Sequence, residues 1–194
     1  MNWVNEPYRH GRLFVQQSGF DTVRFTDIKE NERIDMSLSD RPTEVMMRVV
    51  RAERGDGRTV FTGDAKHFVK GAGITERDVW HFVTREHATA LRAGLTVHRS
   101  AFSSTPHDFE LTPDFGFEEA FVFMMPDDAK GLLEGEGVWP EGDAVSAAWP
   151  VVNRSMAQVP MGWHRVTALP GLDGVVPPLA YVWVYLALHE RWEK

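Results

Sequence analysis

Gly and Pro cut the apolar residues of this chain into short runs, and no run keeps the 3.6-residue period of a long helix. Val45-Met46-Met47-Arg48-Val49-Val50, Asp78 to Thr84, Leu91 to His98 and Glu119 to Met125 are each rich in β-branched or aromatic residues and bounded by turn chemistry. Gly55-Asp56-Gly57 closes the first of them into a hairpin whose return is Thr59 to Thr62. Tyr181 to Leu188, after Val176-Pro177-Pro178, is apolar at nearly every position and predicts a strand buried on both faces. The one helix the pattern suggests is Pro126 to Leu133, with Pro126 in the first turn, Asp127 and Asp128 at the positive end of the dipole, and Gly135 beyond it. The prediction is an all-β chain, an antiparallel sandwich or barrel of the jelly-roll class. Residues 41–194 form the barrel. Residues 1–40 add edge strands or an arm, with strands at Arg12 to Val15 and Thr22 to Phe25 and a solvated charged loop from Asp27 to Arg33.

Length and composition limit what such a chain can do. At 194 residues it buries the core of one domain unaided. It contains no Cys, which excludes disulfides, thiolate zinc sites, thiol nucleophiles and iron–sulfur clusters. With 21 basic against 28 acidic residues its net charge is −7, a field that repels a phosphate backbone, so nucleic acid is not an expected partner. The start Met-Asn-Trp-Val-Asn-Glu-Pro lacks a charged leader and apolar stretch, and no window reaches 18 apolar residues. The expectation is a cytoplasmic protein with no membrane partner. Exposed edge strands make a homodimer the default assembly.

Metal or acid–base chemistry then falls to eight His and the carboxylates. His10 and His189 lie in charged terminal sequence, and His67, His81 and His87 lie in or near polar connections. His98 shares a strand face with Thr96, opposite Leu95 and Val97. That position is either the wet face of a sheet or a polar barrel lumen. Three segments place a ligand-type residue beside a strand or turn: Ser103 to Glu110 with His107, Phe117 to Phe121 with Glu118 and Glu119, and Pro160-Met161-Gly162-Trp163-His164. Alternate residues of barrel strands face the lumen, so imidazoles and a carboxylate from different strands can converge on one cation.

Five stretches in order, Gly71-Ala72-Gly73-Ile74-Thr75-Glu76-Arg77-Asp78-Val79, Ala93-Gly94-Leu95-Thr96, Thr105-Pro106-His107, Glu119-Ala120-Phe121-Val122-Phe123 and Pro160-Met161-Gly162-Trp163-His164, give the chain a resemblance to a family. From about Val69 to Leu188 it resembles the C-terminal cupin of 5-deoxy-glucuronate isomerase and 5-dehydro-4-deoxyuronate ketol-isomerase. The resemblance implies a cupin barrel holding a divalent metal, zinc in those isomerases, on a His-x-His pair, a Glu and a later His. Carried onto this chain, the implied ligands are His107, Glu119 and His164. The second His of the pair falls on Phe109, which has no lone pair to offer, so the site keeps two imidazoles and one carboxylate, a set that also accommodates Fe, Mn or Ni.

The resemblance further implies a sugar-acid isomerase that moves a proton through an enediolate. Glu118 and His98 are the candidate bases. Arg154 is a candidate for the substrate carboxylate, and Phe109, Trp163 and Tyr181 for lining the substrate site. Phe109, Phe121, Trp139, Trp149 and Trp163 favour a second reading, a lyase, epimerase or Fe(II) oxygenase on a less polar small molecule. A metal-free small-molecule-binding cupin is the third.

Overall fold

The structure, a computed structural model, describes residues 13–38, 48–60, 65–98, 119–138, 144–159 and 163–187. These form three antiparallel sheets. The first is a meander of β1 (Leu13–Gln17), β2 (Thr22–Asp27), β3 (Glu32–Ser37), β4 (Arg48–Glu53) and β5 (Thr59–Val60), in that order. The second has six strands drawn from β6 (Lys66–Lys70), β7 (Arg77–Val83), β8 (Leu91–His98), β9 (Glu119–Met124), β12 (Met156–Val159) and β14 (Leu179–Leu186), ordered β12-β9-β14-β8-β7-β6. The third is β11 (Ala144–Val151), β10 (Lys130–Val138) and β13 (Trp163–Leu169), with β10 in the middle.

The six-stranded sheet is the middle layer because its central strands are apolar on both faces. All eight residues of β8 and all six of β9 are buried. On one face Ala93, Leu95, Val97, Ala120, Val122, Val182 and Val184 pack with Leu13, Val15, Phe25, Ile34 and Met36 of the N-terminal meander. On the other, Phe121, Phe123, Leu179, Tyr181 and Trp183 pack with Leu133, Val151, Val166 and Ala168 of the three-stranded sheet. Period-two alternation assigns each side chain to its core, and each fully buried Phe contributes about 1.5–3 kcal/mol. β14 is buried through seven of its eight positions, as its composition predicts.

Two sequence expectations are corrected. Pro126 to Leu133 is not a helix. Ala129 N–H donates to the Pro126 carbonyl at 2.9 Å to close one turn, and the chain then extends as β10. The glycines at 131, 135 and 137 weaken a helix, while pairing with β11 on one side and β13 on the other satisfies the extended backbone. The charged run from Asp27 to Arg33 is a solvated turn only over residues 28–31, and its flanks depart from that expectation. It is the β2–β3 turn plus the start of β3, and the carboxyls at both ends are buried. Asp27 accepts from the Lys29 N–H at 3.0 Å. Glu32 accepts from the amides of Ala90 at 2.7 Å and Leu91 at 3.3 Å, tying the meander to the start of β8. Burial pushes the Glu32 carboxyl above its ordinary range, and those two amide hydrogen bonds oppose the shift.

The meander runs through residues 13–60, across the expected boundary at 40. Among the described residues no helix is long and apolar enough to cross a membrane.

Candidate functional site

Glu119 opens β9 and His164 is the second residue of β13, so the two come from facing sheets. Their side chains meet in the space between those sheets, with His164 Nε2 2.9 Å from Glu119 Oε2 and both residues buried. The pairing follows from the strands. Glu119, Phe121 and Phe123 share the face of β9 that looks at the three-stranded sheet, and His164, Val166 and Ala168 share the face of β13 that looks back. The Phe121 ring stands edge-on to the His164 imidazole at 5.7 Å and to Tyr181 at 5.6 Å. The pair is therefore a buried polar contact beside the Phe121 ring, where water screening is weak and charge interactions are strong.

The donor set fits a divalent cation. A carboxylate oxygen and an imidazole nitrogen, both buried, converge at 2.9 Å, and both are donor types that such an ion takes. Among the described residues no third His, Asp or Glu joins them. His107, the remaining expected ligand, lies outside the described residues, as do Phe109 and Glu118. β13 begins at Trp163, whose side chain is not described.

His98 is buried, which corrects the wet-face alternative, and its Nε2 lies 3.3 Å from the Tyr181 hydroxyl. The structure does not bring it to Glu119 and His164. On β14, His98 is opposite Leu179 and Glu119 is opposite Tyr185. Six residues of strand put the two about 20 Å apart along the sheet. Tyr181 lies between them in the core, sharing ring contacts with His98, Phe121 and Phe123. Arg154 is on the wrong side of the sheet for a role here. It occupies the β11–β12 turn at φ 64°, donates to Asp21 at 3.2 Å, and borders a pocket of about 310 Å³ with Phe20, Val122 and Met156 on the meander side. Val122 belongs to the opposite core from Phe121, which places that pocket on the other side of the six-stranded sheet.

Sequence reasoning set His67 and His81 aside, and both are structured. His67, on β6, puts Nε2 2.7 Å from Asp78 Oδ1 and stacks on Trp80. His81, on β7, meets the edge of Trp183 at 5.3 Å and tilts against Phe68 at 5.2 Å. It belongs to a row that crosses five strands, Lys66, His81, Gly94, Trp183 and Phe121, and the row leads to His164. No sequence signal marks this row, because its members come from five separate segments.

Burial, with the charges of Lys70 and Lys66, pushes the His81 imidazole down to about 4, so it is neutral at physiological pH. The unfolded chain takes up this proton near pH 6.5 and the folded chain resists it down to about pH 4. The stabilising difference is full above pH 6.5 and is lost as pH falls through that window. Urea midpoints of wild type are expected to decline from pH 6.5 to 4, and His81→Gln is expected to decline less. Equal slopes would remove His81 as a source of acid sensitivity.

No protein-family model matches the chain, and no curated protein matches it. Solved structures do. An IolB-like protein from Salmonella typhimurium LT2 superposes with a TM-score of 0.52 at 16% identity, covering 84% of this chain and 55% of that one. This chain thus spans about half the length of that protein. A predicted oxalate decarboxylase from Thermotoga maritima gives 0.44 at 14% identity over 64% of this chain and 93% of the other. A cupin 2 conserved barrel domain protein from Rhodopseudomonas palustris gives 0.43 at 14% over 73% and 83%. With its own antiparallel sheets and the first of these likenesses, the chain has the all-β cupin fold expected from sequence, preceded by an added N-terminal meander.

Proposed function

We propose that this protein is a metal-dependent cupin enzyme that isomerises an open-chain sugar acid or a similar small hydroxy-carbonyl compound. The observation that carries the proposal is the buried Glu119–His164 contact at 2.9 Å between facing sheets. A carboxylate and an imidazole buried beside Phe121 are costly to bury unless they hold each other or a cation, and a site reached by substrate gives that cost a use. Glu119, His164 and His107 would hold a divalent ion, with zinc the first expectation and Fe, Mn or Ni the others. When bound it supplies Lewis-acid polarisation of a carbonyl and the adjacent hydroxyl.

The chain's own residues then supply position and a base. Tyr181 and Trp183 wall the chamber and exclude water from the reacting carbons. Glu118, adjacent to Glu119, is the proposed base that takes the proton from the carbon beside the carbonyl and returns it to the neighbouring carbon. His98 is not assigned this role, because the register sets it at the other end of the chamber. The 5-deoxy-glucuronate and deoxyuronate isomerases are the nearest chemistry that the sequence resemblance offers. The aromatic lining favours one second reading, a cupin lyase, epimerase or oxygenase whose ligand is less polar. A cytoplasmic homodimer is the proposed setting for either.

The deciding experiment is metal content of the purified full chain, in wild type and in His107→Ala and His164→Ala. Wild type is expected to carry close to one divalent ion per chain, and each variant little. A metal-free wild type, or equal occupancy in all three, would sink the reading. Turnover without oxygen consumption then separates isomerisation from oxygenation.

A further inference from the structure

On the face of the six-stranded sheet away from Glu119 and His164, the meander and the sheet part to leave a cavity of about 310 Å³. Its place follows from the strands. β1 and β12 are tied at one end, where Gln158 Nε2 donates to the Leu13 carbonyl at 2.8 Å, and at the other end they line the cavity through Gln17 and Met156. Val23, Leu38, Val122 and Met156 make an aliphatic floor that belongs to the meander-side core. Two opposite charges, Asp21 and Arg154, stand beside it, both half-exposed. Their contact is 3.2 Å, longer than the roughly 2.7–2.9 Å of a well-made charge-assisted hydrogen bond, so the pair is not locked. Phe20 also lines the cavity and is 92% exposed, a ring that an apolar guest would cover.

Arg154 is also the strained residue of its turn. At φ 64° it occupies the left-handed region, which Gly or Asn takes at little cost and a long side chain does not. The turn imposes that conformation. The Arg154 N–H donates to the Phe123 carbonyl at 2.9 Å, the Phe123 N–H to the Ser155 carbonyl at 2.9 Å, and the Ser155 N–H to the Val152 carbonyl at 3.0 Å. Strain held by this many bonds, at a residue that borders a cavity, points to the side chain rather than the backbone as the reason for Arg there.

We propose that this cavity is a second site, separate from the Glu119–His164 pair, and that it binds a free α-amino acid with an aliphatic side chain. The charged pair dictates the head group. A simple carboxylate would meet Arg154 but lie against Asp21, and a simple amine would meet Asp21 but lie against Arg154. A zwitterion satisfies both, its carboxylate on the guanidinium and its ammonium on the Asp21 carboxylate. The floor dictates the rest: an aliphatic chain laid on Val23, Leu38, Val122 and Met156 leaves water for an apolar surface, and the cavity is large enough to take it.

The test is calorimetric titration of the full chain with L-leucine and with isocaproate, isoamylamine and glycine, which lack in turn its ammonium, its carboxylate and its side chain. Wild type is expected to bind L-leucine and to bind each of the others about tenfold or more weakly. Asp21→Asn and Arg154→Asn are each expected to weaken L-leucine by about tenfold. Arg154→Asn is also expected to keep or raise the melting temperature, because Asn accepts the left-handed backbone that strains Arg. A lowered melting temperature with L-leucine affinity unchanged would make Arg154 a structural residue and overturn the proposal. No L-leucine binding by wild type, or isocaproate binding as tightly as L-leucine, overturns it too. So does loss of L-leucine binding in Glu119→Gln but not in Arg154→Asn, which would put the amino acid on the other face of the sheet.

Discussion

Gly94→Ala is expected to lower the melting temperature by roughly 6–12 °C. A Cβ at position 94 would lie 2.5 Å from the Trp80 carbonyl oxygen and 2.6 Å from Cε2 of Trp183, and nearer still to Cζ2. Neither neighbour can yield cheaply. The carbonyl belongs to the paired backbone of β7, and the Trp183 ring is wedged between His81 and Tyr185 while its indole N–H donates to Thr96 at 3.1 Å. Overpacking of this kind costs about 3 kcal/mol or more, because relief requires moving a strand or a buried ring. Differential scanning calorimetry reads the effect directly. The double variant Gly94→Ala with Trp183→Leu should fare better than the loss of each alone would sum to, since it removes the ring half of the clash. A shift under about 1 °C for Gly94→Ala would mean that the Trp183 ring does not lie over Gly94.

The second large effect concerns metal-linked stability. Zinc at about a hundred times its dissociation constant should stabilise wild type by about 2.7 kcal/mol, a rise of roughly 5–10 °C for a chain of this size. Glu119→Gln should abolish most of that rise. Gln preserves the shape of the buried side chain while removing its charge, whereas removing His164 outright would leave a buried carboxylate without its counter-group at a cost of about 3–5 kcal/mol. The conservative variant therefore separates metal binding from folding. Thermal scans with chelator and with zinc, on both proteins, give the comparison. A wild type that zinc does not stabilise, or a Gln variant stabilised equally, would count against Glu119 as a ligand.

The fold was legible where a strand is apolar on a simple period. β8, β9 and β14 could be placed because burial on both faces leaves no polar residue to disguise them. β10 and β6 were not. β10 carries three glycines and two acids in nine residues, and β6 is exposed at all five positions, so neither has the hydrophobic alternation by which a strand is recognised. Their extended form comes from pairing with neighbours far along the chain. The same reason explains the mistaken helix at Pro126 to Leu133: local signals describe one turn correctly and cannot see the two strands waiting on either side. Glu32 was misjudged because a charged residue between charged neighbours looks solvated, while its two amide donors are 58 and 59 residues away.

By itself the sequence determined the chemistry available and the class of fold. Without Cys, any metal here has only nitrogen and oxygen ligands; with short β-rich runs and no long amphipathic helix, the chain must bury its apolar faces sheet against sheet. It also offered Glu119 and His164 among several candidates beside strands and turns, and the family resemblance chose them from that set. Only the tertiary structure decided that those two meet, that His98 sits about six residues along the sheet from them, and that Lys66, His81, Gly94 and Trp183 form one row across the strands leading to Phe121 and His164. The physical reason is register. Residues on a strand alternate between faces at a fixed period, but which residue of one strand stands beside which residue of another is set by pairing across long sequence distances, and a shift of one position would turn each of these side chains to the opposite core.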